Sequence, residues 1–191
     1  MNKFRSKKLW AGTLATGAVA ALGLTLVSSA PADSGRQGPT AAKIKMVFDP
    51  QAGPPAFVGD DSVAAGQDLK IVNTSKPRQI GPHTFSLVEE GSLPTTQQEM
   101  RKCGKIELPV CVNVFNAHNV SNKFVVRKPN VDKGLDGWDK SFNDEVKGDT
   151  WFTETKGESE TRAVTATPGS TLYYFCIVHP EMQGSIGVLA R

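Results

Sequence analysis

Near its C-terminus the chain reads Tyr173-Tyr174-Phe175-Cys176-Ile177-Val178-His179-Pro180-Glu181-Met182, so a thiol, an imidazole and a thioether recur at i, i+3 and i+6. Thiolate and thioether are soft donors, and together with imidazole they make a set that favours copper. Thiolate and imidazole give strong in-plane bonds, while a thioether suits a long axial position. Taken singly, Cys176 reads as a buried core cysteine, His179 as a solvated imidazole and Met182 as a gap-filler. The combination is another matter. With 3 His and 4 Met in the chain, this spacing arises by accident in about one sequence in a thousand. A trigonal site needs a second imidazole, and His83 and His118 remain. His83 is preferred, because it opens the alternating segment His83-Thr84-Phe85-Ser86-Leu87 and follows a Pro82 that stiffens its approach. His118 lies in the polar insertion, beside Asn116 and Asn119, and reads as structural or solvated.

The other two of the 3 cysteines lie eight residues apart, at Cys103 and Cys111. Disulfides persist in exported proteins, and one bond between these two closes a small loop and leaves Cys176 unpaired. An unpaired thiol in an oxidising compartment is a liability unless it is buried or held by a metal ion.

The elements that must position these groups read mostly as short strands. Alternation appears over Lys43 to Phe48, Asp68 to Asn73, His83 to Val88, Glu158 to Ala166, Thr171 to Cys176 and Ser185 to Ala190, between turn residues such as Thr167-Pro168-Gly169-Ser170. Many short strands predict an all-β fold, a Greek-key β-sandwich. Residues 89–156 are too long for a plain connection and carry structure of their own, which makes them a disulfide-stapled, partly helical insertion. Thr96 and Glu99 stand at capping-box spacing for one helix. Pro109 suits the start of a second, although Val110, Val112 and Val114 fit a strand equally well. Phe124, Trp138 and Phe142 are the expected anchors of this segment on the sandwich, and Trp151 reads as a core residue rather than an electron relay. Asn73-Thr74-Ser75 and Asn119-Val120-Ser121 match the glycosylation sequon, which matters only in a eukaryotic secretory pathway.

At the other end, Lys3, Arg5, Lys7 and Lys8 precede an apolar run, Leu9 to Val27, and then Ser28, Ser29, Ala30 and Ala32. That order predicts a signal peptide over 1–32, cut after Ala32. The alternative is an uncleaved anchor, since the run approaches the ~20 residues that span a bilayer, though Gly and Thr dilute it. Either way the folded part lies outside the cytoplasm, in the periplasm, at the cell surface or secreted. Removing these four of the 22 basic residues leaves 18 against 19 acidic ones, so the near-neutral remainder argues against a nucleic-acid surface. Residues 33–42 hold no large apolar side chain and read as a flexible lead-in. Residues 43–191 suffice for one domain with its own core.

Gly81-Pro82-His83-Thr84-Phe85 upstream and Tyr174-Phe175-Cys176-Ile177-Val178-His179-Pro180-Glu181-Met182-Gln183-Gly184 downstream resemble the cupredoxins of the plastocyanin/azurin type. The Cys-x-x-His-Pro-x-Met loop looks most like that of amicyanin. The resemblance covers roughly residues 43–88 and 156–191. It implies eight strands, with the site at one end and the ligand loop joining the last two. It also implies one type 1 copper ion held by His83, Cys176, His179 and Met182, with Thr84 placed to hydrogen-bond near the sulfur. His179 would then turn an edge to solvent as the electron port. The function implied is a monomeric blue copper protein that carries single electrons between redox partner proteins, with no enzymatic turnover. The alternative is copper delivery, or an accessory role in a metal-uptake or respiratory complex. The chain departs from the pattern in the 93 residues between His83 and Cys176, which the insertion accounts for. Three histidines are too few to build a further catalytic copper centre.

Overall fold

The computed structural model describes residues 40–118, 134–145 and 147–191, apart from the side chain of Pro77. The predicted signal peptide, most of the lead-in, Phe124 and the second sequon lie outside the described residues.

Alternation is what builds the first sheet. In β1 (Ala42–Val47), Ala42, Ile44 and Met46 turn inward while Lys43 and Lys45 stay exposed. In β4 (Asp68–Asn73) the inward set is Leu69, Ile71 and, at the end of the strand, the polar Asn73. β1 runs parallel to β4, and β2 (Ala56–Gly59) and β7 (Ser159–Ala163) flank them antiparallel, giving the order β2-β1-β4-β7.

The second sheet has the order β3-β9-β8-β5-β6, formed by β3 (Ser62–Ala64), β5 (His83–Val88), β6 (Thr150–Thr153), β8 (Thr171–Phe175) and β9 (Gln183–Leu189). All its neighbours are antiparallel except β3 and β9. The two sheets face each other over a core that includes Ile44, Met46, Leu69, Ile71, Phe85, Leu87, Leu172, Tyr174 and Ile186. Each such side chain withdrawn from water contributes about 1.5–3 kcal/mol.

β4 and β5 coincide with the segments read from periodicity, and the other four strands differ from their readings only at the ends. β7 stops three residues early, where Val164 instead bridges to Trp138. β2, β3 and β6 had no periodic signature, being only four, three and four residues long. Nine strands are therefore described rather than eight. Thr150–Thr153 falls within the segment read as the insertion, yet it is an edge strand of the second sheet, paired with β5 from His83↔Thr153 to Ser86↔Thr150.

Between β4 and β5 lies a single helical turn, α1 (Pro77–Ile80). After β5, the chain makes α2 (Gln97–Gly104) and α3 (Pro109–Ala117). Thr96 caps α2 in a reciprocal box: its Oγ1 accepts from the Glu99 N–H at 3.1 Å, and Glu99 Oε2 accepts from the Thr96 N–H at 2.9 Å. Pro109 occupies the first turn of α3, where its missing N–H costs nothing, so the strand alternative there is not realised. The Cys103–Cys111 disulfide joins the two helices.

These helices cover the outer face of the second sheet. Val88, Phe175 and Ile177 pack there with Val110, Val114, Ala117, the disulfide and Phe142. β5 is consequently buried at all six residues, although its sequence alternates as if one face met water. Trp138 anchors on the opposite face, edge-on to Phe85 at 5.1 Å and under the Arg162 guanidinium at 4.0 Å.

Candidate metal centre

Cys176 follows the last residue of β8 and keeps the inward orientation of Leu172 and Tyr174. The chain then turns back tightly. The Cys176 N–H donates to the Met182 carbonyl at 3.0 Å, and the Met182 N–H to the His179 carbonyl at 2.8 Å, before β9 begins at Gln183. The Gln183 side-chain amide donates to the carbonyls of Pro180 and Pro94, each at 2.7 Å, which ties the loop to the chain leading into α2.

His83 opens β5 beside this loop. One ring nitrogen each of His83 and His179 and the Cys176 Sγ lie within 4.8 Å of one another. His83 Nδ1 is 3.9 Å and His179 Nδ1 3.7 Å from the sulfur. The sequence-predicted histidines and cysteine are thus together at one end of the sandwich. Met182, the fourth predicted residue, is buried in the same core cluster as Cys176.

The hydrogen bonds fix the protons on both rings. His179 Nε2 lies 3.0 Å from the Ile80 carbonyl, which can only accept, so Nε2 carries the hydrogen. His83 Nε2 lies 2.7 Å from Ser75 Oγ, whose own proton goes to Asn73 Oδ1 at 2.6 Å; here too Nε2–H donates. Each imidazole therefore aims an Nδ1 lone pair at the sulfur. A thiol brings one proton, which serves one of the two lone pairs at a time.

Burial shapes the charge of the site. It lowers the His83 pKa to about 4, with the neighbouring His179 adding to the effect. It lowers His179 as well, against the raising influence of the Ile80 carbonyl and Glu181. It pushes the Cys176 thiol up, although the Thr84 backbone N–H, 3.3 Å from Sγ, works the other way. Neutral imidazoles with free lone pairs are the form that binds metal.

A metal ion fits this arrangement. Bonds of about 2.0–2.1 Å to nitrogen and about 2.3 Å to sulfur, spread at 120°, set the nitrogen and sulfur about 3.8 Å apart, and the two observed separations straddle that value.

Thr84 stands where the resemblance placed it, and its hydroxyl adds a second hold on the loop by accepting from the Ile177 N–H at 2.9 Å. His179 is half-buried, and its Nε2–H donates to the Ile80 carbonyl. The backbone gets there by way of Gly81, whose φ of 88° is a conformation that favours glycine. His118 is buried and structural, its Nε2 2.6 Å from Thr150 Oγ1. Thr150 in turn meets Ser86 Oγ at 2.7 Å, and Ser86 donates to Thr84 at 3.2 Å. Sequence reasoning missed Ser75, Asn73, Ile80 and Thr150, and only the sequon had drawn attention to the first two.

The two-sheet sandwich and the His/Cys/His cluster at its end bear out the resemblance to cupredoxins. By fold, the chain is similar to the sodium-dithionite-reduced auracyanin of the photosynthetic bacterium Roseiflexus castenholzii. Identity is 17%, over 76% of this chain and 94% of that one, with a TM-score of 0.39. It is similar also to auracyanin B, at 14% identity over 78% of this chain and 87% of that one, with a TM-score of 0.38. No protein-family model and no curated protein matches the chain. Among the described residues no helix is long and apolar enough to cross a membrane.

Proposed function

We propose that the protein is an exported type 1 copper protein that carries single electrons between redox partner proteins, without turnover of a substrate. The observation that carries this reading is the pair of imidazole lone pairs turned on one buried sulfur. His83 and His179 would hold the ion through their imidazole nitrogens and Cys176 through its thiolate, with Met182 as a weaker thioether donor. When bound, copper supplies reversible one-electron chemistry. The chain's part is to keep the ligands still, so that little rearrangement accompanies each electron. Thr84 and Gln183 brace the loop from two sides, and the sandwich holds His83. The Ile80 carbonyl and burial exclude water from most of the His179 ring, which supports retention of the ion over ready delivery. The basic, apolar and small-residue segments of 1–32 support export.

The test is to add Cu(II) to the protein and record visible spectra before and after a reductant. A strong thiolate-to-copper charge-transfer band that bleaches on reduction and is missing in Cys176→Ser is the expected result. A colourless protein that takes up stoichiometric zinc instead would refute the electron-transfer reading.

A further inference from the structure

We propose that Ser75 and Asn73 are positioning residues for His83, fixing the proton on Nε2 so that Nδ1 stays free for a metal ion. The inference rests on the metal-site reading above, and it concerns groups that lie on the opposite side of the imidazole from the sulfur.

The chain of contacts runs one way. His83 Nε2–H donates to Ser75 Oγ at 2.7 Å, and Ser75 Oγ–H to Asn73 Oδ1 at 2.6 Å. The Ser75 backbone N–H also donates to Asn73 Oδ1, at 3.0 Å, which identifies that atom as the oxygen of the amide. Asn73 Nδ2 donates to Thr153 Oγ1 at 3.2 Å, and Thr153 passes its proton to the Glu158 carboxylate at 2.6 Å. Reversing any link would set two donors or two acceptors face to face, so a carboxylate at the far end orients every hydroxyl up to the imidazole. His83, Ser75, Asn73 and Thr153 are all buried, where such a chain polarises itself and an unmade bond is costly. The backbone holds it in place, because Gly157 N–H donates to the Asn73 carbonyl and Asn73 N–H to the Glu158 carbonyl. The same contacts account for the sequon at Asn73. Its amide nitrogen is buried and committed to Thr153, so it is not a surface acceptor for a glycan.

Nitrogen-15 NMR of the metal-free, full-length protein near neutral pH reads the tautomer directly. His83 should carry its hydrogen on Nε2 alone. In Ser75→Ala the Nε2–H to Nδ1–H ratio should fall about fivefold to tenfold, the worth of one hydrogen bond. Cu(II) affinity should fall about 10–100-fold, as it does when the partner of a ligating histidine is lost. Thr153→Val, which cuts the chain two links away, should shift the ratio the same way by a smaller factor. It also provides the comparison if Ser75→Ala does not fold. The inference is overturned if wild-type His83 is protonated on Nδ1 or evenly mixed, or if the folded variants keep the wild-type ratio and affinity. A wild-type protein with the expected tautomer that binds no Cu(II) would refute the copper reading and leave this one standing; one that binds Cu(II) with a mixed tautomer would do the reverse.

Discussion

At the level of single residues, the site divides into atoms that face the sulfur and atoms that hold them there. Met182 is a candidate donor by its chemistry, and by packing it belongs to the core, buried in the same cluster as Cys176. Met182→Leu should therefore keep the fold and retain copper, while raising the reduction potential, because losing a weak donor favours Cu(I). Voltammetry of the loaded variant checks this, and complete loss of copper would make Met182 an essential rather than an axial ligand. The candidate donors were legible in the sequence for a physical reason: Cys176, His179 and Met182 share one tight loop, closed by the backbone hydrogen bonds Cys176 N–H to Met182 carbonyl and Met182 N–H to His179 carbonyl, so their spacing alone keeps them close. The groups that brace them were not. Asn73 and Thr153 are 80 residues apart and meet only where two sheets close on each other, which leaves no periodic trace. His118 read as structural or solvated because its neighbours in sequence are polar, yet its partner in space is a buried threonine.

The elements show a parallel division. β4 and β5 follow period-two patterning, and α2 follows its cap, so all three were readable locally. β2, β3 and β6 exist because a neighbouring strand offers them hydrogen bonds. β5 shows the limit of such patterning. Its Thr84 and Ser86 mark an outer face, but the insertion turns that face into a second interior. The cap of α2 gives a prediction at this scale. Thr96→Ala should cost about 1 kcal/mol, measured by denaturant unfolding. Hydrogen bonds from Thr96 and Thr95 hold the Glu99 carboxyl below its ordinary value of 4.5. The folded chain therefore binds this proton more weakly than the unfolded one. The cap's contribution is present in full above that ordinary value and is lost as pH falls through the depressed one. Thermal midpoints followed from pH 6 to pH 3 should show this loss in the wild type and not in Glu99→Gln.

Across the molecule, a ligand that binds only the folded state adds stability by mass action, about 4 kcal/mol at a thousand times its dissociation constant. For a chain of this size that corresponds to a rise in melting temperature of about 8–16 °C. Calorimetry with and without Cu(II) should show it for the wild type, and Cys176→Ser should lose most of the rise. The separation of the two hydrophobic clusters has a consequence for how the chain acquires its one disulfide. Three cysteines allow three pairings. Cys176 lies in the cluster between the sheets, and Cys103 and Cys111 in the one outside. Exchange requires a thiolate to reach a disulfide sulfur, and in the folded state the β5–β8 pair stands between them. The sheet thus acts as a partition that keeps the third thiol out of the other two's bond, so the sulfur of the candidate metal centre is not consumed by oxidation within the folded chain.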